Sequence, residues 1–309
     1  MRIKTIFIGS GEFAVPILDK LLQSDLIEIT CVISQPDKPV GRKQILTPTP
    51  VSEFLQKNSI KISLETPVKI RLEADNLLNK YQPELIIVAS YGQIIPESIL
   101  NYPKYKALNI HGSLLPELRG AVPVQMSILN GLSKTGVTIQ RIVYQMDAGP
   151  IVGLKEIELN NKETSDLLMD KLGNLGAELL IQILPKWIDG QIQEVPQNEM
   201  GATYCYKDDI AKNNAEITFQ TDIDLAERMV RAFYPWPIAW VKYNNKFIKI
   251  YSAIVSTPIP GLENLRFIKK DKKLYLGLKN GSLEILELQE EGKKRGEFKN
   301  YFYLADIKS

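Results

Sequence analysis

Histidine is almost missing from this chain: His111 is the only one in 309 residues. Cysteine is nearly as scarce. Cys31 and Cys205 stand far apart, so no Cys/His metal motif and no disulfide framework can be drawn, and both thiols are expected to be reduced. No metal is expected. Apolar runs are short, and none approaches the twenty or so residues that cross a bilayer. The first of them, Arg2 to Ile8, is also too short for a signal peptide, so a cytoplasmic protein without membrane contact is expected. There is no internal repeat, coiled-coil heptad or low-complexity segment. An excess of one charge is lacking too, since 38 Lys+Arg face 36 Asp+Glu for a net +2. The balance is uneven along the chain: residues 1–200 sum to −2 and residues 201–309 to +4. A mildly basic second part suits a polyanionic partner, but four charges also describe an ordinary solvated surface.

What is present is an ordinary soluble composition, 44% hydrophobic and 24% charged, in a length that suits two domains. The first part alternates strand and helix. Strands are predicted at 4–8, 27–33, 61–64, 85–89 and 135–143, and helices at 15–22, 51–57, 71–81, 123–129 and 164–187. That alternation predicts an α/β domain with a parallel sheet, in which the unbroken apolar run Leu85-Ile-Ile-Val-Ala89 is central. The turn Gly9-Ser10-Gly11 resembles the start of a dinucleotide loop, but Ala14 stands where a third glycine belongs, and a tight strand-to-helix turn is favoured. Residues 35–50 hold four prolines and the basic residues Lys38, Arg42 and Lys43. They predict an irregular loop, either functional or merely solvated. Residues 191–206 are polar and without period, and are expected to link the domains. Beyond them a helix at 226–233 and short strands at 239–243, 246–251, 274–278 and 283–288 predict a small barrel or sandwich.

The chemistry concentrates in Ala107-Leu-Asn-Ile-His-Gly-Ser-Leu-Leu-Pro-Glu-Leu-Arg-Gly-Ala-Val-Pro123. Asn109 and His111 lie two apart at the end of a predicted strand, hence on one face. An amide donor beside an imidazole can hold a developing oxyanion. The alternative is a core histidine bonded to a backbone carbonyl. Asp147 follows another predicted strand, in a turn with Gly149 and Pro150. It either caps that turn or pairs with His111 across a pocket and serves in proton transfer. Ligands of such sheets bind beyond the carboxyl ends of strands, so Val88 to Gly92 and Asn109 to Pro116 should border one pocket.

Asn109-Ile-His111, Ser113-Leu-Leu-Pro116 and Asp147 resemble the signature of the 10-formyltetrahydrofolate-dependent formyltransferases. Arg119-Gly-Ala-Val-Pro-Val-Gln125, Thr135-Gly-Val-Thr138, Gln35-Pro-Asp37, Ala89-Ser-Tyr-Gly92, Arg231-Ala-Phe-Tyr-Pro-Trp-Pro237 and Glu290-Glu-Gly-Lys-Lys294 narrow the resemblance to the methionyl-tRNA formyltransferase family, over nearly the whole chain. The resemblance implies a Rossmann-like catalytic domain at 1–190, a linker at 191–206 and an oligonucleotide-binding-like barrel at 207–309. It implies catalysis by Asn109, His111 and Asp147. The folate co-substrate would lie on Ser113, Leu114, Leu115 and Pro116, with Val88, Ser90, Tyr91 and Gly92 alongside. Lys38, Arg42 and Lys43 would grip the acceptor stem of methionyl initiator tRNA, with the enzyme working as a monomer. Two departures stand out: the loop is less basic than in many relatives, and Ser90 occupies a position where alanine is usual. An amino-sugar N-formyltransferase, a formyltetrahydrofolate hydrolase and a nucleic-acid-binding scaffold are the competing readings.

Overall fold

The computed structural model describes residues 2–41, 43–259, 262 and 265–305. The chain divides into two compact units. The first comprises Met1–Pro123, Lys134–Glu158 and Met169–Cys205; the second comprises Val124–Ser133, Leu159–Leu168 and Tyr206–Ser309.

Strands of the first unit are β1 (Ile3–Gly9), β2 (Ile27–Ile33), β3 (Lys38–Val40), β4 (Ile45–Thr47), β5 (Ser63–Glu65), β6 (Leu85–Ala89), β7 (Ala107–His111), β8 (Arg119–Gly120), β9 (Lys134–Arg141), β10 (Ile151–Glu158) and β11 (Tyr204–Cys205). Seven of them form the main sheet, in the order β10-β9-β7-β6-β1-β2-β5. The pairings from β5 to β7 are parallel, as the alternation of strands and helices requires. Beyond β7 the sheet departs from the expected all-parallel form: β9 runs antiparallel to β7, and β10 antiparallel to β9. Strand β10 was not foreseen. Its run Ile151-Val-Gly-Leu-Lys-Glu-Ile-Glu158 buries one face weakly, so its apolar signal is diluted by the charged side.

Helices α1 (Ala14–Leu22), α2 (Pro50–Lys57), α3 (Ile70–Tyr81) and α4 (Glu97–Asn101) join the parallel strands; α5 (Pro123–Leu129) and α6 (Ser165–Ile188) follow. The side chain of Thr49 caps α2 by accepting from the Ser52 N–H, and Pro50 occupies its first turn. Gly9 explains the opening turn. A Cβ there would stand 2.8 Å from the Ala89 carbonyl and 2.9 Å from the Ala14 Cβ, so glycine lets α1 start tight against β1 and β6. The residues read as an irregular basic loop contain a two-stranded ribbon, β3 against β4. Pro39 is tolerated because each strand of an isolated ribbon is an edge.

Strands of the second unit are β12 (Trp240–Tyr243), β13 (Lys246–Ser256), β14 (Phe267–Lys270), β15 (Lys273–Leu278), β16 (Gly281–Glu290) and β17 (Gly296–Glu297), with helix α7 (Ile223–Ala232) packed on β13 and β16. The sheet is antiparallel in the order β12-β13-β16-β15-β14, with β17 added to β16. Asn244 and Asn245 both sit at positive φ, 48° and 62°, the geometry of a two-residue hairpin between β12 and β13.

Candidate active site

Register decides what meets at the C-terminal end of β7. Asn109 pairs with Val88 of β6 on one side and with Gln140 of β9 on the other, and His111 pairs with Thr138. Asp147 sits in the turn between β9 and β10 with φ at 49°, a left-handed conformation that aspartate tolerates. The structure therefore brings Asn109, His111 and Asp147 together. The Asn109 amide donates to Asp147 Oδ1 at 3.4 Å, and His111 Nδ1 lies 3.8 Å from Asp147 Oδ2.

The second nitrogen of the imidazole is engaged elsewhere. His111 Nε2 donates to the Leu118 carbonyl at 2.9 Å. A carbonyl can only accept, so this contact puts a proton on Nε2 and leaves Nδ1 as the face turned to Asp147. His111 is thus buried and bonded to the backbone on one side, and it faces a carboxylate on the other. The carboxylate is well served. Oδ2 accepts from the Gly120 N–H at 2.8 Å and Oδ1 from the Gln140 amide at 2.9 Å. Gly120 has φ at 122°, and a Cβ there would stand 2.0 Å from the Cys205 carbonyl oxygen. Only glycine lets β8 come close enough to β11 while aiming its N–H at Asp147.

The Ser113 to Pro116 run is pinned from beneath. The Thr138 hydroxyl donates to the Ser113 carbonyl at 2.7 Å and accepts from the Leu115 N–H at 3.0 Å, while the Ser113 hydroxyl donates to the Glu117 carbonyl at 2.6 Å. Ser113 and Leu115 are buried, Leu114 and Pro116 half-buried, and the peptide between Leu115 and Pro116 is cis. Of the other residues expected beside the folate, Val88 and Tyr91 pack their side chains in the core with Ile70, Ala74 and Ile99; Ser90 and Gly92 are exposed. The Ser90 carbonyl accepts the N–H groups of Ser10 and Gly11, closing the turns at the ends of β1 and β6. Lys38 is exposed on β3 and Lys43 in the turn after it. Arg42 lies outside the described residues. No group of three or more metal-ligating side chains occurs among the described residues.

Several contributors were not foreseen. Leu118, Gly120, Gln140 and Gln197 all hold Asn109, His111 or Asp147 in place, and Arg119, fully buried, supports Gln197. One signal was available: Thr138 and Gln140 are polar residues two apart in an apolar strand, which puts both on one buried face. Nothing marked Gln197, whose contacts reach back 48 residues or more.

The fold agrees with the comparisons. The Formyl transferase family model matches residues 1–184, and the model of the Formyl transferase C-terminal domain matches residues 209–303. The chain belongs to the formyl transferase family. Within it, the methionyl-tRNA formyltransferase of Bacillus cereus (strain B4264) is 36% identical over 295 residues, 95% of this chain and 93% of that protein. The enzyme of the same name from Bacillus thuringiensis (strain Al Hakam) is 35% identical over the same spans. Among solved structures, HypX from Aquifex aeolicus in complex with tetrahydrofolic acid superposes with a TM-score of 0.67 at 17% identity, over 97% of this chain. This chain spans 47% of HypX, just under half. The N-formyltransferase of Helicobacter canadensis, solved with folinic acid and dTDP-3-aminofucose, gives 0.66 at 20% identity, covering 92% of this chain and 98% of that one. At these identities the likeness is one of fold. No helix of the described residues is long and apolar enough to cross a membrane.

Proposed function

We propose that this enzyme transfers a formyl group from 10-formyltetrahydrofolate to the α-amine of methionine carried on initiator tRNA, acting as a monomer in the cytoplasm. Residues 1–190 would carry the chemistry and residues 207–309 would contact the tRNA, with Lys38 and Lys43 of the β3–β4 ribbon reaching its acceptor stem. The convergence of Asn109, His111 and Asp147 at the end of β7 carries the chemical reading. Near-full-length similarity to methionyl-tRNA formyltransferases carries the choice of acceptor.

The folate donor supplies an amide-like formyl carbon, and the protein supplies position and charge. Among the described residues, the Asn109 side-chain nitrogen has one engaged N–H, at 3.4 Å, so its second N–H can meet the negative charge that develops on the formyl oxygen. His111 in its imidazolium form presents a second N–H from Nδ1, since Nε2 is held by Leu118. Asp147 faces that Nδ1 and can relay the proton that the attacking amine must lose as the folate nitrogen departs. The new bond joins the amine nitrogen to the formyl carbon, the bond from that carbon to the folate nitrogen breaks, and the amine proton ends on the folate nitrogen.

The test is to supply 10-formyltetrahydrofolate with either methionyl initiator tRNA or an amino-sugar nucleotide and see which acceptor is formylated. Formylation of the sugar alone, or of neither, overturns the proposal. His111→Ala and Asp147→Asn should each fold and lose about 10²–10³ in rate, the usual cost of one such group. Near-normal turnover in either would remove that residue from the mechanism.

A further inference from the structure

The polar stretch after α6 is built into the active site. Glu194 forms a two-oxygen pair with Arg141 Nε at 2.8 and 2.9 Å, and Val195 exchanges both backbone hydrogen bonds with Ile151 at 2.8 and 2.9 Å. The Thr203 hydroxyl accepts the Leu118 N–H at 2.8 Å, and the Cys205 carbonyl accepts the Ala121 N–H at 2.9 Å. Between these anchors stands Gln197. Its Nε2 donates to the main-chain carbonyls of Asp147 at 2.8 Å and Gly149 at 2.7 Å, with the Gln140 Oε1 at 3.3 Å. Its Oε1 accepts from Arg119 Nε at 3.1 Å and Nη2 at 2.8 Å. The amide can sit only one way round. Flipped, it would turn its NH2 to a guanidinium and its oxygen to three oxygens.

Those bonds close a ring. The Asp147 carbonyl is held by Gln197, Gln197 by Arg119, and the residue after Arg119, Gly120, donates its N–H back to the Asp147 carboxylate. Arg119 is fully buried and is neutralised by Glu199 of the same stretch, through two contacts at 2.9 and 2.8 Å. The Glu199 partner holds the guanidinium above its ordinary pKa. An aspartate at positive φ, with carbonyl and carboxylate clamped from opposite sides, has one position relative to His111.

We infer that Gln197 is a positioning residue for formyl transfer, fixing the Asp147 turn and through it the distance from Asp147 to His111. The inference rests on the catalytic reading of His111 and Asp147 given above. Two variants test it. In Gln197→Glu, a carboxylate keeps and strengthens the hold on Arg119 but loses the donors and repels the oxygens at 147 and 149. In Gln197→Met, both ends are lost at nearly equal volume. Steady-state formylation is measured per folded molecule, with the folded fraction taken from thermal melts. Each variant should lose about 10- to 100-fold in kcat, with KM for both substrates within about twofold, as expected for misplacement without lost binding. The second readout needs no turnover. The chain has one histidine, so its ring 1H–15N signals belong to His111 alone, and they should move in both variants. Unmoved ring signals, or a kcat per folded molecule within about twofold of the unaltered enzyme, overturn the inference. An unaltered enzyme that formylates neither acceptor overturns the catalytic reading instead, and the ring signals still decide whether Gln197 sets the His111 environment.

Discussion

Gly120 shows how much a single missing side chain can organise. Its φ of 122° and the 2.0 Å that would separate a Cβ from the Cys205 carbonyl both exclude any other residue, and its N–H makes the shortest hydrogen bond to the Asp147 carboxylate. Gly120→Ala should cost about 2–4 kcal/mol, from backbone strain together with separation of β8 from β11. The loss of activity should exceed what the lowered folded fraction explains, because the Asp147 donor moves away. A melt and a formylation assay on one preparation separate the two effects; an alanine variant with full activity per folded molecule would deny Gly120 its part in the site. Short-range patterns marked Asn109 and His111, two apart on a strand, and Asp147, in a turn directly after a strand, as candidates. The patterns left a core histidine and a turn cap open, and the resemblance to the formyltransferase signature singled the three out. Gln197, Gln140 and Leu118 were not singled out. Their work consists of hydrogen bonds to residues distant in sequence, and a polar residue in a polar stretch carries no mark of the partner it will find.

At the scale of elements, legibility followed apolar contrast. Strands β2 and β6 and helix α3 stand where their hydrophobic runs place them, to within a residue. β10, half exposed, and β14, four residues long, had too little contrast to be seen. The stretch 194–205 had little, since its anchors are mainly hydrogen bonds and two ion pairs, Glu194–Arg141 and Glu199–Arg119. Helix α6 carries an element-scale prediction. A Cβ on Gly176 would stand 2.7 Å from Cγ2 of Ile110, the buried residue between Asn109 and His111. In an exposed helix, Gly→Ala gains about 1 kcal/mol. Here the methyl meets a β-branched side chain that cannot swing aside, and overpacking of this kind costs about 1–3 kcal/mol. Gly176→Ala should therefore destabilise on balance and displace the strand that carries Asn109 and His111. A raised melting temperature would show that Ile110 yields, and that helix and strand are less tightly coupled than the packing indicates.

For the molecule as a whole, the scarcity of histidine shapes how stability responds to pH. With one imidazole in 309 residues, the side chains offer little to titrate near neutrality. Burial pushes the Cys31 thiol up to about 12, and burial likewise raises Tyr81 and Tyr91, so these groups begin to destabilise only in alkali. On the acid side, Glu65, Glu199 and Asp222 are all lowered by hydrogen bonds to the ionised form. Glu290 is the strongest case. It is buried, which by itself raises a carboxyl, yet Lys246, Tyr303 and Lys293 at 3.2 Å outweigh burial and bring it down from 4.5 to about 2. A carboxylate whose folded pKa is depressed contributes stability that is complete above its unfolded pKa and vanishes as pH falls through the folded one. The window for Glu290 is therefore about pH 4.5 down to about 2. Its worth is about 1–3 kcal/mol, the upper figure following from the shift and the lower from the half-exposed lysines that screen it. Melting temperature should be flat from about pH 6 to 8.5 and fall below about pH 5. Glu290→Gln should lower the plateau and flatten the acid limb, so that the two curves draw together near pH 2. Parallel curves over that whole range would mean that the Lys246–Glu290–Lys293 group carries no net stability and that other carboxylates set the acid limit.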